Sequence, residues 1–152
     1  MKDKNRSRYI FAVVLALLGM LVTVYLIKQH YAEPDTSFCN VSAIVNCDVV
    51  NQSKYSTFLG IPVAILGFGT YTVLFVAMFG MVFGWWKKYS TRVLTLMTAF
   101  SGFGLAFSLY LTIVEFFVIG AVCMFCLAQQ FIILALFLLL FAIYQRQAEA
   151  EV

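Results

Sequence analysis

Residues 121–144 read "AVCMFCLAQQFIILALFLLLFAIY", twenty-four positions without one charged side chain. As a helix such a stretch would be ~36 Å long, enough to cross a hydrocarbon core of ~30 Å. A helix is the expected form, because its backbone polar groups are satisfied within the segment. The feature that needs a reason is the pair of cysteines near its start, Cys123 and Cys126, with two residues between them.

Three more runs of the same character precede it, over about residues 9–27, 61–83 and 93–116. The chain of 152 residues is 63% hydrophobic and 11% charged, with a mean hydropathy of +0.95. A water-soluble domain of this length has too much surface for its volume to hide that much apolar side chain. The fold expected is an all-α integral membrane protein, one domain of four transmembrane helices. A formal net charge of +3 gives no support to a nucleic-acid partner.

Basic residues orient the spans. Lys2, Lys4, Arg6 and Arg8 precede the first, Lys87, Lys88 and Arg92 separate the second from the third, and Arg146 follows the fourth. These are eight of the ten Lys and Arg residues, and Lys28 and Lys54 are left for the opposite side. The positive-inside rule then places both termini in the cytoplasm, and Trp85 and Trp86 stand where an interfacial aromatic belt belongs. The first run is longer than a signal-peptide core and "KQHYAEP" is a poor cleavage site, so a retained anchor is expected.

On this orientation the segment over about residues 28–60 faces outward, and so does the short turn between the third and fourth spans. Cys39 and Cys47 then share the outer face with Cys123 and Cys126. Disulfides persist in the compartments found there. Four cysteines allow three pairings, and two static bridges compete with a redox-active set. A Cys-x-x-Cys bridge closes a very short loop and stabilises little. Near a helix start, the helix dipole favours a thiolate. Structural zinc favours two short-spaced pairs or added histidines, whereas only one pair here is short-spaced and His30 is the single histidine, so no metal is expected. In the outer segment, "EPDTS" has turn character and "VSAIVNCDVV" suits a short helix lying on the membrane surface. Pro62 suits a first helical turn. Glu115 is read as interfacial, and glycines 80 and 84 as sites of close helix packing.

The order of these features, a Cys-x7-Cys pair in the first outer loop, "CDVVNQSKYSTFLGIP", and Cys-x-x-Cys at the top of the fourth span, resembles the vitamin K epoxide reductase family and its bacterial homologues. The resemblance covers the whole transmembrane core. It implies a four-helix bundle whose outer flap caps a quinone pocket, and a membrane thiol:quinone oxidoreductase that drives disulfide formation. Cys39 and Cys47 match the family's loop pair, and Cys123 and Cys126 its active-site pair. Ser53 matches the serine or threonine of the quinone pocket, and Asp48 an acid frequent in bacterial members. Gln130 stands where the vertebrate enzyme has a tyrosine, so Ser53, Cys126 and Gln130 are the expected quinone contacts. The implied acceptor is a quinone of the ubiquinone or menaquinone class, and the implied donor a separate thioredoxin-fold (DsbA-like) protein, with no fused thioredoxin-like domain. The location expected is a bacterial plasma membrane with the cysteines on its extracytoplasmic side. The competing reading is a non-enzymatic tetraspan protein, a small transporter or assembly factor, held by structural disulfides. It predicts that Cys126→Ala lowers stability and leaves activity intact.

Overall fold

The computed structural model describes residues 3–33, 37–42 and 44–151. Lys2 and residues 34–36 of the expected turn lie outside the described residues. Four long helices dominate: α1 (Asp3–His30), α3 (Val63–Phe83), α4 (Ser90–Val114) and α5 (Met124–Glu151). Each is long and apolar enough to span a bilayer, so the chain is an all-α integral membrane protein with a four-helix bundle. Between α1 and α3 lie the short helix α2 (Cys47–Asn51), a 3-10 turn (Lys54–Ser56) and a two-stranded antiparallel ribbon of β1 (Thr57–Phe58) and β2 (Ile61–Pro62).

The apolar runs make the helices, and their inward stripes make the core. Tyr9, Ala12 and Ala16 of α1 meet Tyr71, Leu74 and Met78 of α3 and Ile133, Leu136 and Leu140 of α5, all buried. Small residues let α1 and α3 approach closely, as the apolar solvent of a bilayer requires of helix contacts. Gly19 lies directly under the Tyr71 ring, where an added Cβ would stand 2.5 Å from two ring carbons. Gly80 is likewise covered by the indole of Trp86. At the end of α3, Gly84 takes the left-handed conformation at φ 75°, and its amide and that of Trp85 bond back to Met81 and Gly80. This Schellman-type close turns the chain sharply into α4.

The helices exceed the apolar runs where polar residues continue a favourable backbone. Thus α1 persists to His30, and α5 to Glu151. Pro62 is not in the first turn of α3; it pairs with Thr57 in the ribbon and stands at the N-cap with ψ 130°. A ring that lacks an amide hydrogen suits that junction as well as the first turn. The surface helix is also shorter than expected. Among the described residues of that stretch, 47–51 are helical, whereas Val45 forms a parallel bridge with Val122, whose carbonyl accepts from the Asn46 amide. That bridge stitches the flap to the start of the fourth span.

The third span does not end as a regular helix. Residues Glu115–Ile119 form a π-turn closed by Gly120 at φ 70°, whose amide donates to the Glu115 carbonyl. Isolated π-turns recur at functional sites because the extra residue re-aims a side chain. Here the residue re-aimed is Glu115.

Candidate redox site

The four cysteines lie at one end of the bundle, with the Arg6, Arg8, Arg92 and Arg146 positions at the other. Cys39 and Cys47 are joined in a disulfide, whereas Cys123 and Cys126 are free thiols. The sulfurs of Cys39, Cys47 and Cys123 all lie within 4.8 Å of one another. Cys123 is fully buried beneath the flap, with Leu26, Val50 and Ala121 around it. A disulfide bond is ~2.05 Å long, so Cys123 stands at most ~2.8 Å beyond bonding distance of a loop sulfur. The spacing that looks like a three-thiol metal set is therefore also the spacing of thiol–disulfide exchange, and two of its members are already bonded to each other.

Several contacts hold the flap in this register. Phe38, beside Cys39, packs edge-on against Phe125, which stands between Cys123 and Cys126, at 5.5 Å between ring centres. Tyr25 of α1 closes the cluster, 5.4 Å from Phe38 and 4.6 Å from Phe125. The Asp48 carboxylate accepts from the Asn40 side chain at 2.8 Å and from the Ser37 amide at 3.3 Å, folding residues 37–40 over α2. Asn51 donates to the Leu26 carbonyl at 2.7 Å, and Gln52 reaches the carbonyls of Gln29 and Ala32.

Cys123 precedes α5 rather than lying on it, and its sulfur accepts from the Cys126 amide at 3.3 Å. Sulfur here does the work of an N-cap oxygen, meeting the third amide of the helix. The hydrogen bond donated by the Cys126 thiol lowers Cys123 below the usual thiol range, outweighing burial and the nearby Glu115 charge, which push it up. A lowered thiol at a helix start is a better nucleophile and a better leaving group. Glu115, expected at the interface, is instead 4% exposed. Its carboxylate accepts from the Cys123 amide at 3.2 Å, and the Cys126 thiol stands beside it. The π-turn carries it inward, and nothing in the sequence around it marks that turn except Gly120.

Below Cys126 opens a cavity of about 740 Å³. Its walls are largely apolar, from Ala64, Gly67 and Val73 of α3 and Phe103, Phe107 and Leu111 of α4, with Leu26 of α1. Polar groups gather at the flap end, where Asn51, Ser53, Tyr55, Ser56, Glu115 and Cys126 share the wall. Volume and lining suit an aromatic head group with part of an apolar tail. Phe103 and Val73, 72% and 46% exposed, also line it, so the cavity reaches the lipid-facing surface between α3 and α4.

Of the expected contacts, Ser53 and Cys126 line this cavity. The Ser53 hydroxyl donates to the Val50 carbonyl at 2.8 Å, leaving its lone pairs free to accept. Gln130 does not line it: its carbonyl oxygen accepts from Ser108 at 2.5 Å and from Thr112 at 3.3 Å, tying α5 to α4. The neighbouring Gln129 is on the wall, anchored by its amide to the Gly19 carbonyl. One position along a helix turns a side chain by about 100°, which separates the two glutamines. Asn51, Tyr55 and Glu115 were not singled out as site residues by the sequence; their polar character within an apolar chain was the available signal.

The model of the vitamin K epoxide reductase family matches residues 10–141. That span takes in every cysteine, the flap, the cavity and most of all four helices. An oxidoreductase family, a membrane bundle and two cysteine pairs at exchange distance thus coincide, and the chain belongs to the vitamin K epoxide reductase family.

Proposed function

We propose that the protein is a membrane thiol:quinone oxidoreductase. It takes electrons from a separate thioredoxin-fold, DsbA-like protein and delivers them to a quinone of the ubiquinone or menaquinone class. The observation that carries the reading is the continuity of the path. Three sulfurs lie within 4.8 Å of one another, and the fourth, on Cys126, stands on the wall of a lipid-open cavity.

The relay follows from exchange chemistry, in which a thiolate attacks one sulfur of a disulfide and expels the other. A partner dithiol attacks Cys39, and the loop pair is left reduced. Cys47 then attacks Cys123 of a Cys123–Cys126 disulfide, and Cys126 leaves as a thiolate. Cys39 resolves the Cys47–Cys123 bridge, which regenerates the loop disulfide and leaves the helix pair reduced. That is the state described above, with Cys39–Cys47 joined and the other two free. A quinone bound in the cavity supplies the two-electron acceptor. Cys126 faces it, Ser53 and Gln129 offer polar contacts at its head, and the apolar walls exclude water. By the positive-inside rule the cysteines face away from the cytoplasm, where a secreted or periplasmic partner meets them.

The test uses purified full-length protein, a reduced thioredoxin-fold protein and a short-chain quinone. Hydroquinone formation and the four thiols' alkylation states, read by mass, are followed together. Quinone consumption with cycling of both pairs is expected; thiol states that do not change on quinone addition refute the reading.

A further inference from the structure

Glu115 is the acid in this site that the relay does not use. A carboxylate buried among membrane helices is costly to keep unless a partner or a function retains it. Its structural task, accepting from the Cys123 amide at 3.2 Å, would be met as well by the oxygen of a glutamine, which carries no charge. The Cys126 thiol stands beside Glu115, and both side chains lie on the cavity wall. Glu115 stands at the start of the π-turn that ends the third span. From this arrangement we infer that Glu115 is a catalytic residue, the proton carrier between Cys126 and the bound quinone. The inference rests on the thiol–quinone reading above and assigns a role within it.

The step balances as follows. Cys123 and Cys126 lose two S–H bonds and gain one S–S bond, two electrons pass to the quinone, and two O–H bonds form on its oxygens. The Cys126 proton moves first to the Glu115 carboxylate and then to the nearer quinone oxygen, which restores the carboxylate. The Cys123 proton is released to water at the flap, and the far quinone oxygen takes its proton from water, so two protons leave the thiols and two join the quinone. Few other groups near this path can titrate. Tyr55 and Tyr71 share the cavity wall, and Asp48, on the flap helix packed against the π-turn, is engaged by Asn40 and Ser37.

Two readouts test this on wild type, Glu115→Gln and Glu115→Asp. The first is single-turnover oxidation of the pre-reduced full-length protein by a short-chain benzoquinone. The second is the pH profile of Cys123 alkylation with no quinone present. Glutamine keeps an oxygen for the Cys123 amide but cannot exchange a proton, so the quinone step slows by about 100-fold, whereas aspartate stays within about tenfold. The Cys123 alkylation limb moves to lower pH in Glu115→Gln, because the carboxylate charge opposing its thiolate is gone. A glutamine variant within about threefold of wild type overturns the inference, since general acid–base catalysis contributes far more than that. So does an unmoved alkylation limb. Both results leave the thiol–quinone reading standing. A wild-type protein that leaves the quinone oxidised overturns that reading and this inference with it. Should Glu115→Gln fail to fold with its Cys39–Cys47 disulfide, Glu115→Asp carries the test: an unchanged pH profile of its quinone step overturns the inference.

Discussion

Asn51→Ala asks how tightly the flap is latched over Cys123. The Asn51 side chain is buried and donates to the Leu26 carbonyl of α1 at 2.7 Å. Its own carbonyl meets His30 Nδ1 at 2.6 Å, a contact that the substitution leaves in place. The Leu26 carbonyl sits within a continuous helix, so the loss is that of one buried neutral hydrogen bond. Such a bond contributes about 1 kcal/mol net, which makes flap opening about fivefold more frequent. Hydrogen-exchange mass spectrometry over residues 46–53 reads this directly, since the amides of Val49, Gln52 and Ser53 are bonded within the flap. Asn51→Asp should open it further, because a carboxylate facing the Leu26 carbonyl repels instead of donating. Exchange in Asn51→Ala equal to wild type, or faster than in Asn51→Asp, would refute the latch.

Three further outcomes are expected. Replacing Cys39 or Cys126 by alanine removes a resolving thiol, so the Cys47–Cys123 disulfide should accumulate in peptide maps; its absence in both variants counts against the relay. Gly19→Ala forces a methyl into the Tyr71 ring and strains the Tyr71 hydroxyl's bond to the Gln129 carbonyl. Overpacking of this kind costs about 1–3 kcal/mol and should lower the thermal midpoint in detergent, with Gly104→Ala, whose Cβ finds 3.6 Å of room, as the mild control. Gln130→Leu breaks the tie to Ser108 and Thr112 and should cost about 0.6–1.7 kcal/mol of stability without raising KM for quinone, whereas Gln129→Leu should raise it.

The membrane fold was legible because hydropathy reports directly on what a bilayer selects. Four apolar runs gave four helices, with ends displaced where Asp3 to Arg8, Lys28 to His30, Ser90 to Arg92 and Gln145 to Glu151 carried the backbone on into polar sequence. Cysteine order likewise located the two pairs that the fold gathers at one end of the bundle. What escaped was local geometry that no pattern encodes. A π-turn shifts register by one residue, and that shift separates an interfacial Glu115 from one bonded to the Cys123 amide beside Cys126. Choosing between Gln129 and Gln130 needed the same angular detail, because adjacent polar residues on a greasy helix have no periodic partner to set their facing. The flap was mistaken for a longer surface helix because Val41 to Val45 have the composition of one. Its residues instead follow Val122, a contact made across nearly eighty positions of chain.

In the proposed relay, the sulfur that closes the first turn of α5 is also one that changes bonds in every cycle. When Cys123 swings to Cys47, the amide of Cys126 loses its acceptor and the start of the helix is left open. Turnover would then be accompanied by a small rhythmic loosening of the segment that carries the electron donor, tightest when the thiol is free to give and slackest while it is being recharged.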